Sequence, residues 1–458
     1  MLKILQTTTI ARRLGMIPVL AVAIILPCRA ATPTLTTLYN FTDLGDGGFP
    51  EAGLVVGASG TLYGTTSTGA TGWGSIFELI PSGTTWTETT IYDFTGGADG
   101  GNPIANLIIG KNGVMYGTTQ YGGAHGYGTV FQVAPSGTGT WTQKVLYSFA
   151  GGSDGATPAA GLTLLSKNGV LYGTTEFGGT STGCTAGCGT VFELIPGTSG
   201  WTEKVLYTFQ GNTDGANPIA DLALASSGSL FGTTSQGGSV TVTNDPPTCT
   251  TTNPCTYANW GIVFELTPSG GGAWTETVLY TFLGTTDGGS PESGLIIGAN
   301  NVLYGTAFWG GVVTACPVSD YPQGCGTIYS LAAPAGGGTP WTETVIYAFT
   351  GHSSDGAHPY GNMAINSGGQ LFGTTFSGGA NVDNCFPDSF NGCGTIFSAK
   401  PPATQGGKWT KSNITVFPGA PGGGAPNGLV LSTGGNMYGT TILGGNTGGY
   451  GTVFQLTQ

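Results

Sequence analysis

Six Asp-Gly pairs recur along the chain and carry the first carboxylates that could do chemistry. Carboxylates gathered on one face could bind a metal ion or supply the two acids of glycoside hydrolysis. Asp-Gly is also typical of tight turns, because Asp accepts backbone hydrogen bonds and Gly tolerates positive φ. The aspartates are Asp46, Asp99, Asp154, Asp214, Asp287 and Asp355, each with Pro three residues after the Gly. Such regular recurrence favours structural turns, and we predict neither a metal site nor a catalytic site from it.

Other catalytic signatures are scarce. None of the histidines, His125, His352 and His358, lies in an H-E-x-x-H zinc-protease motif or a G-x-S-x-G nucleophile motif. We therefore predict no catalytic residue and no cofactor, and favour a binding protein over an enzyme. A carbohydrate-active hydrolase or lyase stays open, because Glu176 or Asp320 beside a turn aspartate could supply two carboxyl groups.

Aromatic residues that vary between otherwise repeated segments are the candidate binding residues. Their faces could stack on sugar rings or apolar side chains, and packing within loops is the alternative. Three stand before a glycine pair and four stand before a Gly-Thr-Val-Phe-like run: Tyr121, Phe177 and Trp309, then Trp73, Tyr127, Trp260 and Tyr450.

The N-terminus resembles a secretory signal peptide. Lys3, Arg12 and Arg13 precede an apolar stretch, residues 16–26, and Cys28-Arg29-Ala30 places small residues at the −3 and −1 positions of a cleavage site. The stretch is shorter than the roughly 20 residues of a membrane-spanning helix, so a membrane anchor is the weaker interpretation. We assign residues 1–30 to the signal peptide and expect no membrane span after cleavage.

Charge narrows the range of partners. The whole chain has 11 Lys plus Arg and 23 Asp plus Glu. Four basic residues leave with residues 1–30, so the mature net charge is 7 − 23 = −16. Because nucleic acids require basic patches, we predict no nucleic-acid partner, and acidic polymers are poor candidates as ligands.

Eight cysteines remain after cleavage and form four local pairs. They are Cys184 with Cys188, Cys249 with Cys255, Cys316 with Cys325, and Cys385 with Cys393. Each pair lies inside one long insertion, and a disulfide restrains a loop that has no core of its own. Metal binding is the alternative, but paired C-x2-C spacings are absent. We predict four disulfides in an oxidising compartment: the cell exterior, the cell surface or the periplasm.

These residues are set in a sevenfold repeat. An aromatic-Gly-Thr signature starts at Tyr63, Tyr116, Tyr172, Phe231, Tyr304, Phe372 and Tyr438. A second signature, typically Gly-Thr-Val-Phe, starts at Gly74, Gly128, Gly189, Gly261, Gly326, Gly394 and Gly451. A third, Trp-Thr-Glu and variants, starts at Trp86, Trp141, Trp201, Trp274, Trp341 and Trp409. Once the insertions between the first two signatures are subtracted, each unit has a frame of about 48 residues.

Each frame predicts four antiparallel strands, which we label A to D, separated by Gly, Ser, Asn and Pro. Four strands in about 48 residues is the size of a β-propeller blade. We therefore predict an all-β fold, a single seven-bladed β-propeller over residues 35–458. The chain begins with a D-type strand and ends with a C-type strand, so we expect the N-terminal strand to complete the last blade and close the ring. An open β-solenoid is the alternative.

These tandem units resemble the Gloeo/Verruco (GloVer) repeat of exported bacterial proteins over roughly residues 35–458, and their order is similar to that of kelch propellers. The resemblance implies export, often with a C-terminal surface-sorting signal, and no established activity. In an up-and-down blade, the B–C insertions and the D–A connections share one face. We expect this loop-bearing face to bind an extracellular polysaccharide or protein.

Overall fold

A computed structural model describes residues 33–457, except 166, 243–254, 312–315, 317–323, 353–354, 380–384, 386–391, 405 and 446–447. The side chains of residues 240–258 are not described either. The predicted signal peptide, Cys249 and Asp320 lie outside the described residues, and the side chain of Cys255 is not described, so the Cys249–Cys255 disulfide stays a prediction. Residues Pro33–Gln458 form one compact unit.

Seven four-stranded antiparallel sheets are arranged in a ring, which confirms the seven-bladed propeller. The N-terminal strand is β1 (Thr34–Asn40). Blade 1 contains β2 (Val55–Val56), β3 (Leu62–Thr66), β4 (Ser75–Ser82) and β5 (Thr85–Asp93). Blade 2 contains β6 (Ile108–Ile109), β7 (Met115–Thr119), β8 (Thr129–Gly137) and β9 (Thr140–Ser148). Blade 3 contains β10 (Thr163–Leu165), β11 (Val170–Thr175), β12 (Thr190–Gly197) and β13 (Gly200–Thr208).

The later blades follow the same order, with an extra hairpin in the fourth. Blade 4 contains β14 (Ala223–Leu224), β15 (Leu230–Thr234), the hairpin β16 (Ser239–Val242) and β17 (Cys255–Ala258), then β18 (Ile262–Ser269) and β19 (Ala273–Thr281). Blade 5 contains β20 (Ile296–Ile297), β21 (Leu303–Ala307), β22 (Thr327–Ala332) and β23 (Thr342–Ala348). Blade 6 contains β24 (Gly356–Ile365), β25 (Leu371–Gly378), β26 (Thr395–Lys400) and β27 (Thr410–Val416). Blade 7 contains β28 (Gly424–Leu431), β29 (Met437–Leu443), β30 (Thr452–Thr457) and β1.

Helix is almost absent from the described residues. It is limited to three single-turn 3-10 segments in A–B turns, Ala58–Gly60, Lys111–Gly113 and Ala299–Asn301. Among the described residues, no helix has the length and apolar character needed to cross a membrane.

The aromatic-Gly-Thr signature is explained by packing inside each blade. In blade 3, Gly173 on the B strand lies directly opposite Phe192 on the C strand. A Cβ atom on Gly173 would lie 2.5 Å from the Phe192 ring, so glycine leaves the space that the ring fills. Phe192 is fully buried and meets Phe149 of blade 2 at 5.2 Å between ring centroids. This contact between the two rings fills the gap between blades 2 and 3.

A bulge in the C–D pairing recurs around the ring. In blade 3 the register shifts between Val191 and Phe192. A shift also interrupts the pairing of β1 with β30, between Thr37 and Tyr39. The N-terminal strand thus pairs as a D strand does, and each bulge increases the twist of its blade.

Candidate functional site

Hydrogen bonds within the molecule occupy the repeated turn aspartates. In the first copy, Tyr39 donates its hydroxyl to Asp46 Oδ2 at 2.9 Å and the Thr42 backbone N–H donates to the same oxygen at 3.0 Å. The equivalent hydroxyl bonds join Tyr92 to Asp99, Tyr147 to Asp154, Tyr207 to Asp214, Tyr280 to Asp287, and Tyr347 to Asp355. The carboxylate clamps the D strand to the D–A turn.

The seventh copy lacks both partners of this clamp. Thr415 stands where the other D strands have Tyr, and Gly422 stands where the other turns have Asp. A buried carboxylate without a hydrogen-bond donor would be costly. Because this copy lacks both the Tyr and the Asp, no such carboxylate is left. The pairing of the two substitutions supports a structural role for the turn aspartates.

In blades 1 to 4 the residue before the C strand covers the same glycine of the neighbouring D–A turn. Cβ atoms on the equivalent glycines Gly96, Gly151 and Gly284 would overlap the rings of Trp73, Tyr127 and Trp260. In blade 3 the disulfide fills this space, since a Cβ atom on Gly211 would lie 2.5 Å from Cys188 Sγ. Aromatic rings and disulfides therefore replace one another at a single structural position.

Three of the four predicted cysteine pairs are disulfide-bonded. They are Cys184–Cys188, Cys316–Cys325 and Cys385–Cys393, with Cα separations of 5.2, 5.4 and 5.2 Å. Each bond fixes the end of a B–C insertion next to its C strand. Among the described residues, no group of three or more His, Cys, Asp or Glu side chains could hold a metal ion.

The seven candidate aromatic residues differ in exposure. Trp73, Tyr121 and Tyr127 are the exposed ones, at 43, 46 and 47% of their maximal area. The others are only partly exposed: Phe177, Trp260, Trp309 and Tyr450. The exposed three come from the B–C loops of blades 1 and 2, so they gather on one sector of the loop-bearing face.

Trp73 and Tyr121 line the same open cleft, which has a volume of about 550 Å³. The rest of its lining is Ala98 and five glycines, Gly96, Gly97, Gly122, Gly123 and Gly126. A hydrogen bond of 2.8 Å from Gly123 N to Gly97 O joins the two loops that form the floor. The cleft thus presents two aromatic rings above bare backbone, with no charged side chain in its lining.

A second cavity, of about 190 Å³, lies at the centre of the ring and is lined by residues from six blades. Its polar side chains include Glu51, Asn106, Gln120, Glu176 and Asn427. Tyr360 and two isoleucines, Ile104 and Ile219, add apolar surface. We call this space the axial cavity.

Asp221 anchors a network across the axial cavity. It accepts hydrogen bonds from Asn106 Nδ2 at 3.1 Å, Asn362 Nδ2 at 2.7 Å and Gly161 N at 2.6 Å. Asn362 in turn accepts one from Gly294 N at 2.9 Å. Residues of blades 2 to 6 are therefore tied together at the axis, and a further cavity lined by Asn106, Asp221 and Asn362 adjoins the same network.

Three glutamates with raised pKa values lie in or beside the axial cavity. Burial raises the pKa of Glu292 to about 7, helped by the Glu176 carboxylate and opposed by the Ser290 hydroxyl, which donates to Glu292 at 2.9 Å. Burial also raises the pKa of Glu51 and of Glu176. Glu292 and Glu51 both raise the pKa of buried Tyr360, which places these groups within electrostatic reach of one another.

Of the axial residues, only Glu176 was predicted from the sequence as a possible functional group, and most of the others stand near the start of strand A. The residue after the turn proline varies, as Glu51, Ile104, Ala159, Ile219, Glu292, Tyr360 and Asn427. The residue before the strand A Leu or Met varies too, as Gly53, Asn106, Gly161, Asp221, Gly294, Asn362 and Gly428. In a ring these positions converge, so their variation is the signal that could have located the cavity.

Comparison with known families finds one repeat to which part of the chain is similar. Residues 24–244 match the Gloeobacter/Verrucomicrobia repeat, which confirms the resemblance over that part of the chain. No curated protein matches the chain.

Three solved structures align with most of the chain at low identity. A putative oxidoreductase (glucose dehydrogenase) from Thermus thermophilus is 14% identical, with a TM-score of 0.40, over 93% of this chain and 100% of that one. A protein of unknown function from Dyadobacter fermentans DSM 18053 is 11% identical, with a TM-score of 0.42, over 92% and 96%. A luciferin-regenerating enzyme is 10% identical, with a TM-score of 0.41, over 93% and 95%.

Proposed function

We propose that this propeller, which carries the Gloeobacter/Verrucomicrobia repeat, is an extracellular binding protein whose loop-bearing face holds a neutral polysaccharide. The observation that carries the proposal is the cleft between Trp73 and Tyr121, where two exposed aromatic rings flank a floor of glycines. The disulfide-bonded insertions on the same face fit an oxidising compartment. A protein ligand is the alternative within the same class.

The chemistry of the cleft favours sugar rings. An aromatic face packs well against the C–H face of a pyranose, and its large flat area contributes much of the binding energy at such sites. Glycines allow a ligand to approach the backbone closely, since no Cβ stands in the way. Because the lining has no charged side chain and the molecule is acidic, a neutral glycan fits better than an anionic one.

A glycan array followed by calorimetry on the captured oligosaccharides tests this function. We expect Tyr121→Ala and Trp73→Ala each to weaken binding about 10-fold or more, equivalent to about 1.4 kcal/mol. Tyr127→Ala is the matched control, because Tyr127 is equally exposed on the same face and does not line the cleft. Thermal unfolding of each variant reports any loss of packing around Trp73.

Two outcomes would contradict the binding proposal. One is that no neutral glycan is captured by the disulfide-bonded protein. The other is that a captured glycan binds the Tyr121→Ala variant as tightly as the unmodified protein. If a protein is captured instead, and this capture requires Tyr121, then the ligand of the cleft is a protein and not a polysaccharide.

The axial carboxyl groups favour a second candidate function, that of a carbohydrate-active hydrolase or lyase. A general acid needs a pKa near the working pH, and burial raises that of Glu292 to about 7. Glu176 raises it further and could serve as the second carboxyl group. We expect a hydrolysis screen to detect any such activity, and Glu292→Gln to abolish it.

Glu276→Gln is the control for the hydrolytic function. Burial raises the pKa of Glu276 to about 7 as well, but this residue lies on β19 and outside the axial cavity. An activity lost equally in both variants would argue against axial catalysis. If a glycan is captured and no product forms, only the binding function is supported.

A further inference from the structure

Blade 2 contains no acidic residue, although the molecule as a whole is acidic. Residues 100–153, which make up blade 2 and its turns, contain Lys111 and Lys144 but no Asp or Glu. Lys167 follows in the first turn of blade 3. This matters because the chain has 23 acidic residues, and the C and D strands of the two neighbouring blades all carry acids.

Lys111 and Lys167 line the same cleft. It has a volume of about 440 Å³ and lies between the A–B turns of blades 2 and 3. Both turns read Lys-Asn-Gly-Val, at residues 111–114 and 167–170, whereas the other five A–B turns contain no lysine. Two repeat-breaking lysines therefore converge on one place, which the linear spacing of 56 residues does not reveal.

The inner wall of this cleft is apolar. Ile109, Tyr116 and Leu164 line it together with Asn168 and two glycines. A Cβ atom on Gly110 would lie 2.8 Å from the Tyr116 ring and 3.6 Å from Leu164, so the glycine allows both side chains to close the base of the cleft. The Tyr116 ring meets Trp201 of blade 3 edge-on at 6.1 Å, which fixes its orientation.

In blades 1, 3 and 4 the aromatic residue of the B strand pairs with a glutamate of the C strand, whereas in blade 2 it does not. Tyr63 and Tyr172 pair across the B and C strands with Glu78 and Glu193. Burial raises the pKa of both tyrosines, and these carboxylates raise it further. Tyr116 pairs with Gln132 instead. The cleft is thus flanked by amide rather than by carboxylate.

Lys144 also lies beside the Gln132 amide and not beside a carboxylate. It pairs with Gln132 across β8 and β9, whereas Lys204, at the equivalent place in blade 3, lies 3.3 Å from Glu193 in an ion pair. In the part of the chain that the structure describes, the ion pairs involve Lys204 and Lys411. The charges of Lys111, Lys144 and Lys167 are therefore not neutralised by an ion pair there.

We propose that this cleft is a second binding site, for a small molecule that carries one carboxylate on an apolar ring. The two ammonium groups at the rim would hold the carboxylate, and Ile109, Tyr116 and Leu164 would contact the ring. Lysine ammonium groups are compact charges that accept many anion geometries. A cleft of this size holds one or two rings, and the acidity of the rest of the molecule disfavours an extended polyanion.

The site is independent of the polysaccharide cleft. A–B turns lie on the face opposite the B–C insertions, because successive turns of an antiparallel meander alternate between its two ends. Variants of one site therefore leave the other in place, and the two proposals can fail separately.

Binding of benzoate, measured by NMR titration of the mature protein, tests the proposal. We expect a dissociation constant on the order of millimolar, which suits a probe of this size, with shifts in resonances of Tyr116 and Leu164. Benzamide, the neutral isostere, should bind about 10-fold more weakly. The variant Lys111→Met/Lys167→Met should lose a similar factor, because Met keeps the apolar stem and removes the charge.

Lys400→Met/Lys408→Met is the matched control, because both lysines are exposed and lie on blade 6 or its C–D turn. Benzoate affinity should not change in this variant. The proposal would be overturned by absence of benzoate binding, by equal affinity for benzamide, or by equal losses in the two double variants.

Discussion

The residue before each turn proline is held in the left-handed backbone region in every blade. The seven φ values are 51° at Phe49, 58° at Asn102, 55° at Thr157, 55° at Asn217, 52° at Ser290, 56° at His358 and 53° at Ala425. Asn tolerates this region, whereas β-branched Thr does so rarely. The position is fixed by backbone bonds on both sides, as at Thr157, where N–H donates to Tyr127 O at 2.9 Å and C=O accepts from Glu176 N at 3.1 Å.

Thr157→Asn should therefore stabilise the propeller. We expect a gain of about 1 kcal/mol in the free energy of unfolding, since the left-handed strain of a Thr is relieved. In blade 4 the native Asn217 also donates its side-chain amide to Glu176 O at 3.2 Å, which shows the additional bond that Asn can make there. Urea unfolding measures the change, and Asn102→Thr should give a loss of similar size.

At the scale of the strand, a carboxyl group on each of four D strands faces the clamped aspartate of a neighbouring turn. Burial raises the pKa of Glu88, Glu203 and Glu276 to about 7 and that of Glu343 to about 8, and the turn aspartates add to the effect. Blades 2 and 6 avoid this repulsion with Gln143 and Lys411. Gln143 donates to Asp99 O at 3.2 Å, and Lys411 forms a buried ion pair with Asp355.

These carboxyl groups should make the propeller less stable at alkaline pH. Their pKa values are higher in the folded than in the unfolded chain, so the folded state binds more protons between about pH 4.5 and pH 8. The free energy of unfolding consequently falls as pH rises through that window. We expect Glu203→Gln/Glu276→Gln/Glu343→Gln to raise Tm at pH 8 and to change it little at pH 5.

Gln143→Glu provides the reverse control, because it places a carboxyl group beside Asp99. Its Tm should fall more at pH 8 than at pH 5. Equal effects at both pH values in the two variants would mean that packing rather than protonation controls stability at this position.

At the scale of the whole molecule, the sequence predicted the blades because each unit repeats the same local chemistry. Gly-Thr, Gly-Thr-Val-Phe and Asp-Gly each specify a strand or turn without reference to distant residues. The axial cavity and the lysine cleft were not predicted, because they depend on residues far apart in the chain. Asp221 meets Asn106 and Asn362 across separations of 115 and 141 residues, and only the ring brings them together.

The N-terminal strand β1 supplies one of the four strands of blade 7. β1 pairs with β30 from Thr34 opposite Thr457 to Asn40 opposite Thr452. Just beyond it, Phe41 is buried at 1% exposure and meets Phe77 of blade 1 at 5.1 Å. Removing this segment would uncover the edge of β30 and leave a cavity between blades 7 and 1, each of which is costly.

A chain of residues 42–458 should therefore be much less stable than one of residues 31–458, which keeps β1. We expect a lower Tm, together with self-association through the exposed β30 edge, observable by thermal unfolding and light scattering. A peptide of residues 33–41 should restore Tm in a concentration-dependent way, because it binds only the folded chain. An unchanged Tm in a monomeric 42–458 chain would mean that the other 27 strands of the blades hold the ring without β1. Phe41→Ala separates packing from strand pairing: a loss of about 3 kcal/mol without self-association would assign the stability to the ring contact, and the association to the open edge.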